Sequence, residues 1–256
     1  MHLPKKLSCL IFCLGIITTA FAQKELYFRP GMLLNSPVEH LIHKDQHTAF
    51  RYNNHNLYLG WGIEFFYRAN NKTDIYAGYQ NSRIDINYSL YGSHRYAASI
   101  EQSEFPLAIE WLLKDVRLFP MSERPKFFGK NSTAHGYYFL ALFRLKAITG
   151  ISLSHVTTTE GIESVNYGQQ IFVRHYILPQ HFQNFSVFGG LSLQFYNRKR
   201  DKLHLTLLYN QGLRRVAEME IKEYRGRDTF SARLGSRGSY FAAQLKVPIR
   251  LVTFKS

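Results

Sequence analysis

Five stretches of the chain alternate, residue by residue, between large apolar side chains and small or polar ones. A period of two is the period of a β-strand, whose successive side chains point to opposite faces. In "LYLGWGIEFFYR", Leu57, Leu59, Trp61, Ile63, Phe65 and Tyr67 share one face, and Gly60, Gly62, Glu64 and Arg68 lie on the other. In "SEFPLAIEWLL", Phe105, Leu107, Ile109, Trp111 and Leu113 oppose Pro106, Ala108, Glu110 and Leu112. In "HGYYFLALFRLKA", Tyr137, Phe139, Ala141, Phe143 and Leu145 oppose a face ending in Arg144 and Lys146. Residues 185–212 repeat the pattern twice around the turn Arg198-Lys199-Arg200-Asp201, with Val187, Leu191, Leu193, Phe195, Leu203, Leu205 and Leu207 against Ser186, Gly190, Gln194, Lys202, His204 and Asn210. "SYFAAQLKVPIRLV" sets Phe241, Leu245, Val247, Ile249 and Leu251 against Gln244, Lys246, Pro248 and Arg250. These strands run to about 11 to 14 residues, against about 5–6 in soluble sheets.

Alternation alone leaves two environments open. In a soluble barrel the apolar face makes the core. In a transmembrane barrel it meets lipid, and the mixed face fills the lumen. The N-terminus helps to choose. Lys5 and Lys6 precede an apolar run from Leu7 to Ile17, followed by Ala20-Phe21-Ala22. This is the order of a secretory signal peptide over residues 1–22, with cleavage between Ala22 and Gln23, leaving one domain over 23–256. Both cysteines, Cys9 and Cys13, lie in that leader, so the expected mature chain has no disulfide and no cysteine metal site. Beyond residue 22 the longest apolar run is Tyr137 to Phe143, far below the about 20 residues that a membrane helix needs. A strand of about 9–11 residues crosses a bilayer without such a run.

The connections alternate in length. "NNKT" (70–73) and "RKRD" (198–201) are tight and polar, whereas 35–55, 89–101, 155–184 and 213–237 are long and polar. Short turns on the periplasmic side and long loops outside are the pattern of outer-membrane barrels, and aromatic residues near strand ends fit interfacial girdles. The strands are expected near 24–34, 56–68, 73–88, 102–113, 136–152, 185–197, 202–212 and 238–252. The fold class is all-β: a transmembrane, antiparallel, up-and-down β-barrel of eight strands, or ten if "GQQIFVRHYILPQ" (168–180) enters the ring. Within 73–88 the apolar parity shifts from Ile75, Ala77 and Tyr79 to Ile84, Ile86 and Tyr88, which a β-bulge near 81–83 would explain.

"SEFPLAIEWLL", the Gly-rich strand and tight turn of 185–213 ending in Tyr209, Gly212 and Leu213, and the closing strand "GSYFAAQLKVPIRL" follow one another in the order seen in small porin-like outer-membrane barrels common in Bacteroidetes. The chain resembles that family over most of its mature length. The resemblance implies a fold and a place in the Gram-negative cell envelope, with no shared catalytic set. Many such proteins end on an aromatic residue read by the assembly machinery. Here Lys255 and Ser256 follow Phe254.

The expected lumen holds Glu64, Arg68, Glu110, Arg144, Lys146, Lys202, His204, Lys246 and Arg250. In a narrow barrel such charges must pair, because an unpaired buried charge is expensive. They read as a salt-bridged filling or as the lining of a narrow pore. No catalytic set, cofactor site or metal site stands out: His40, His43, His47 and His55 are spread over one polar loop and read as solvated, and no phosphate-binding glycine loop occurs. Ser154 and His155 are adjacent, so they point to opposite sheet faces and make a poor nucleophile and base. The formal charge falls from +14 to +12 when Lys5 and Lys6 leave. For an exported chain that excess points to lipid and lipopolysaccharide phosphates rather than nucleic acid. Residues 214–237, with Arg214, Arg215, Arg225, Arg227, Arg233 and Arg237, are the place to grip them. The expected partners are therefore outer-membrane lipid, lipopolysaccharide and the barrel-assembly machinery, with the chain monomeric. A structural or surface-binding barrel is the first functional reading. An outer-membrane hydrolase acting on lipid or peptide is the second. A secreted soluble β-barrel binding a small apolar ligand is the third, and would put Trp61, Trp111 and Leu207 inside and Glu64 and Lys246 outside.

Overall fold

The computed structural model describes residues 23–52, 57–70, 72–90, 94–117, 142–158, 162–167, 171–196 and 201–255. The expected signal segment 1–22 and the connection 118–141 lie outside them. Thirteen strands appear in the order β1 (Gln23–Lys44), β2 (Phe50–Tyr52), β3 (Tyr58–Arg68), β4 (Thr73–Leu90), β5 (His94–Arg117), β6 (Leu142–Thr158), β7 (Ile162–Tyr167), β8 (Ile171–Pro179), β9 (Gln183–Tyr196), β10 (Asp201–Gly212), β11 (Ala217–Arg225), β12 (Asp228–Lys246) and β13 (Ile249–Lys255).

A ring runs β1-β3-β4-β5-β6-β9-β10-β12 and closes where β12 pairs back onto β1. Every pairing in it is antiparallel, so the ring is an up-and-down barrel of eight strands with no free edge. β13 continues β12 along β1. Pro248 has no N–H to give the ladder, and Val247 N–H bridges the break to the Pro30 carbonyl at 3.0 Å. One end of the ring holds the chain termini and the tight β3–β4 turn, where the Asn70 carboxamide oxygen accepts from the amides of Lys72 and Thr73.

At the other end the strands do not stop. β12 changes partner, from β10 over His204↔Lys246 to Asn210↔Tyr240, to β11 over Ala217↔Ser236 to Arg225↔Asp228. β8 pairs with β11, β7 with β8, and β2 with β4. A two-residue turn with Gly226 at φ 60° closes the β11–β12 hairpin. The segments expected as long loops are thus largely strand: β1 runs on to Lys44, and β4 and β5 continue as one hairpin to Leu90↔His94. Polar composition hid this, because these strands are wet on their outer face.

Residues 168–180 supply β8, which lies outside the ring, so the ten-strand alternative does not hold. The expected fifth strand runs on past 152: β6 is described over Leu142–Thr158, and 136–141, with Tyr137 and Phe139, fall outside the described residues. β4 has no bulge near 81–83. Its register with β3 and with β5 runs unbroken through Trp61↔Asn81 and Arg83↔Glu101. Asp74, Tyr76, Gln80, Ser82, Ile86 and Tyr88 all point inward on one parity. What changes along β4 is the chemistry of the interior, from polar to apolar. Ile86 and Tyr88 join Phe50, Ile100, Val156, Val173, Met219, Ile221 and Leu234 in one apolar core that fills the extension.

Candidate functional site: the filled lumen

Within the ring the distribution of residues is opposite to that of a soluble protein. Trp61 and Leu207 are 51% and 57% exposed, whereas Glu64 and Lys246 are 5% and 4% exposed. Leu59, Phe65, Leu107, Ile109, Ile151, Val187, Leu191, Phe241 and Leu245 continue the exposed apolar belt around every wall. The barrel faces lipid. This excludes the soluble ligand-binding reading, whose inside and outside are reversed. The tight β3–β4 turn marks the periplasmic end, and the extension is the outer end. Aromatic pairs girdle both rims of the belt. Tyr79 packs 5.5 Å from Trp61 and 5.4 Å from Phe105, and Tyr209 packs 4.7 Å from Phe241. Phe28 with Phe65 and Phe143 with Phe195 lie at the other rim.

The interior is built in three layers. At the periplasmic side Arg68 reaches Asp74 at 3.2 Å and Asp201 at 2.6 Å, and lies over the Tyr27 ring. Lys146 shares Asp74. Arg144 is 3.8 Å from Asp201 and stacks on Tyr196 at 4.2 Å.

Arg29 is the centre of the middle layer. Its Nε donates to Glu64 at 2.8 Å, its Nη1 lies 2.9 Å from Glu110, and the rings of Phe66 and Tyr76 flank its plane. Lys246 donates to the other Glu64 oxygen at 2.6 Å, and Gln194 to Glu110 at 2.6 Å. Arg29 Nη1 also lies 3.0 Å from His204 Nδ1. A guanidinium offers only donors, so Nδ1 accepts and the imidazole is the neutral Nε2–H tautomer, with Nε2 3.8 Å from Asp201.

The outer layer surrounds Glu104, which takes neutral donors: Gln102 at 2.7 Å, Gln80 at 2.8 Å, Tyr240 at 3.0 Å and Ser152 at 3.3 Å. A small void beside Gly31 and Gly62, between Arg29, Gln80 and Gln244, has room for about one water. The apolar core of the extension sits directly above.

Of the residues singled out from sequence, Glu64, Arg68, Glu110, Arg144, Lys146, His204 and Lys246 meet in this network. Lys202 and Arg250 do not. Lys202 is half-buried beside a register shift between Asp201 and Leu203, and it is Asp201 that turns inward. Arg250 lies at the periplasmic rim, where the lumen opens to solvent; it is exposed and pairs with Glu25 at 3.2 Å. Sequence reasoning missed Arg29, Asp74, Glu104 and Asp201. For Arg29 the signal was there: it sits between Tyr27 and Gly31 on the inward parity of "LYFRPGMLLN", against Phe28, Pro30, Met32 and Leu34.

No nucleophile is assembled from the residues considered. Ser154 is buried and bonds the Asn184 carbonyl, while His155 is exposed on the opposite face. In the extension Asp45 accepts from Ser231 N and Oγ, at 2.6 and 3.1 Å, and sits 2.9 Å from His43 Nε2. The acid lies between the histidine and the hydroxyl, so the imidazole cannot take the serine proton. The Ser231 donors and His43 hold the Asp45 carboxyl below the usual carboxylate range. Among the described residues no three His, Cys, Asp or Glu side chains are grouped to hold a metal.

No protein-family model matches the chain, and no curated protein sequence matches it. Among solved structures it is similar in fold to the outer membrane protein OprG from Pseudomonas aeruginosa, at 9% identity over 92% of this chain and 98% of that one, with a TM-score of 0.44. It is also similar to the transport unit of the autotransporter AIDA-I from Escherichia coli, at 8% identity over 87% and 90% of the two chains, TM-score 0.32. A third likeness is to the monoaromatic hydrocarbon channel TodX, at 8% identity over 92% of each chain, TM-score 0.24.

Proposed function

We propose that the protein is a closed, non-conducting outer-membrane barrel with a structural or surface-binding role, carrying its outward strands as a rigid sheet at the cell surface. One observation carries this reading: the bore is filled twice in series, by the charged network around Arg29 and then by the apolar core of the extension. An eight-stranded interior is about wide enough for side chains alone, and here they are packed in it. An ion entering would have to break the Arg29–Glu64–Lys246 contacts and then cross the apolar core. The reading also places the chain with the small porin-like barrels common in Bacteroidetes. It takes the assembly machinery as partner, the ring as monomeric, and no enzymatic step. Support for the family comes from the order of the strand motifs around Pro106, Tyr209 and Gly212.

Planar-bilayer recording tests it. The purified protein should give no resolved conductance steps in concentrated KCl. Reproducible ohmic steps in the unmodified protein would overturn the closed reading in favour of a narrow pore.

A further inference from the structure

The six arginines of residues 214–237 do not share one environment. Arg215 pairs with Glu218, Arg225 with Glu223, and Arg233 with Glu218 and Glu220. Arg227 is at the tip of the β11–β12 hairpin, far from the ring. Arg214 and Arg237 differ from all of these. Both are exposed, and among the described residues neither guanidinium has a carboxylate partner.

Their main chains are fixed by one buried side chain. The Asn184 carboxamide donates to the Arg237 carbonyl at 2.7 Å and accepts from the Arg214 amide at 2.9 Å. Arg237 is also pushed out of the wall by a bulge. Opposite Val38 and Glu39 of β1, whose partners are Ser239 and Ser236, β12 carries Arg237 and Gly238 in excess, with Gly238 at φ 69°. A bulge of this kind re-aims a side chain. The clamp lies at the handover where β9 and β10 end and β8 and β11 take their place, just above the Tyr209–Phe241 girdle.

Apolar surface continues past the girdle at the same place. Phe182 is 60% exposed, Leu213 56%, Phe185 53% and Leu178 39%. Backbone bonds fix its members in the wall: Leu213 N–H donates to the Phe185 carbonyl, and Val156 N–H of β6 to the Phe182 carbonyl. This ledge is continuous with the lipid-facing belt through Phe185 and Val187. Left facing water it would be a contiguous exposed apolar patch.

We infer that Arg214, Arg237 and the Phe182–Phe185–Leu213 ledge form a site for one phosphorylated lipid of the outer leaflet, acyl chain on the ledge and phosphate between the two guanidinium groups. Arginine suits this because its planar fork gives two parallel hydrogen bonds to a phosphate and is weakly hydrated. The inference rests on the reading of the chain as an outer-membrane barrel, and narrows its lipopolysaccharide partner to one place.

The test is a lipid titration of the purified protein in neutral detergent, followed by native mass spectrometry. The probes are bisphosphorylated lipid A, the same lipid after phosphatase treatment, and inorganic phosphate. Bisphosphorylated lipid A should bind about ten-fold or more tighter than the dephosphorylated form, the scale of one or two charge-assisted hydrogen bonds. Arg214→Gln with Arg237→Gln should erase that preference. Arg225→Gln with Arg233→Gln should keep it, and Arg214→Lys with Arg237→Lys should keep part of it. Equal binding of both lipids, or a preference that survives the Arg214→Gln, Arg237→Gln change, would overturn the site. Displacement of the lipid by an equal concentration of inorganic phosphate would overturn the lipid as its ligand. Heat-modifiable gel mobility reports separately on the ring, so loss of lipid preference in a folded, closed barrel counts against this site alone.

Discussion

At the scale of single residues, the central contact is Arg29 between Glu64 and Glu110. A buried ion pair is weak evidence of stability as a pair, but losing one partner strands the other in low dielectric. Arg29→Met should therefore destabilise the folded barrel by about 3–5 kcal/mol, read as a shift of the urea midpoint in lipid vesicles. Arg29→Met with Glu110→Gln should recover much of that loss, because Glu64 keeps Lys246 as its partner. If the single change costs no more than Arg227→Met at the exposed tip of the β11–β12 hairpin, the lumen is hydrated and the packing described for it is wrong. Asp45 gives a pH dependence outside the membrane. Its folded pKa is depressed, so its contribution is present above the unfolded carboxylate pKa of about 3.9 and is lost as pH falls through the lower folded value. The protection of the Ser231 amide from hydrogen exchange, relative to its intrinsic rate at each pH, should hold near neutral pH and fall only in strong acid. Asp45→Asn should remove that pH step.

At the scale of elements, β4 shows what was and was not legible. Its inward parity never shifts, yet its apolar residues change from one face to the other along its length. The alternation in "LYLGWGIEFFYR" and "SEFPLAIEWLL" was readable because one solvent, lipid, bathes the whole outer face of those strands. β4 and β12 pass through two solvents, and where the outer face changes from lipid to water the pattern inverts. A bulge was the natural inference from sequence, since nothing in a list of residues says where the bilayer stops. The same inversion made β7, β8 and β11 read as polar loop. Ile86→Ala should cost about 2–5 kcal/mol, the range for a buried Ile, while Ile109→Ala on the lipid face should cost far less. Limited proteolysis should then cut the extension of the Ile86→Ala protein while the ring keeps its heat-modifiable mobility. Equal protection of both variants would show that the extension has no core of its own.

At the scale of the whole molecule, strand count, even parity and the tight turns followed from the chain itself. The lumen network did so only in part. Glu64, Glu110 and Lys246 sat on recognisable inward faces. Arg29 stood as a single charge within the apolar run from Leu26 to Leu34, and Asp201 beside a register shift that sequence does not display. The placement of both tryptophans gives a further check. Trp61 lies at the outer rim of the belt and Trp111, opposite Thr73, near the periplasmic rim. Their fluorescence should be quenched more by lipids labelled near the headgroup than by lipids labelled at the bilayer centre. The reverse ranking would place the belt at the wrong depth. β12 continues from Asp228 in the outer sheet through the Arg237–Gly238 bulge to Lys246 in the ring, beside a β1 that spans both as well. No hinge separates the two bodies, so a pull on the outer sheet enters the ring as shear along the β1–β12 ladder. There the hydrogen bonds share the load together instead of opening one after another.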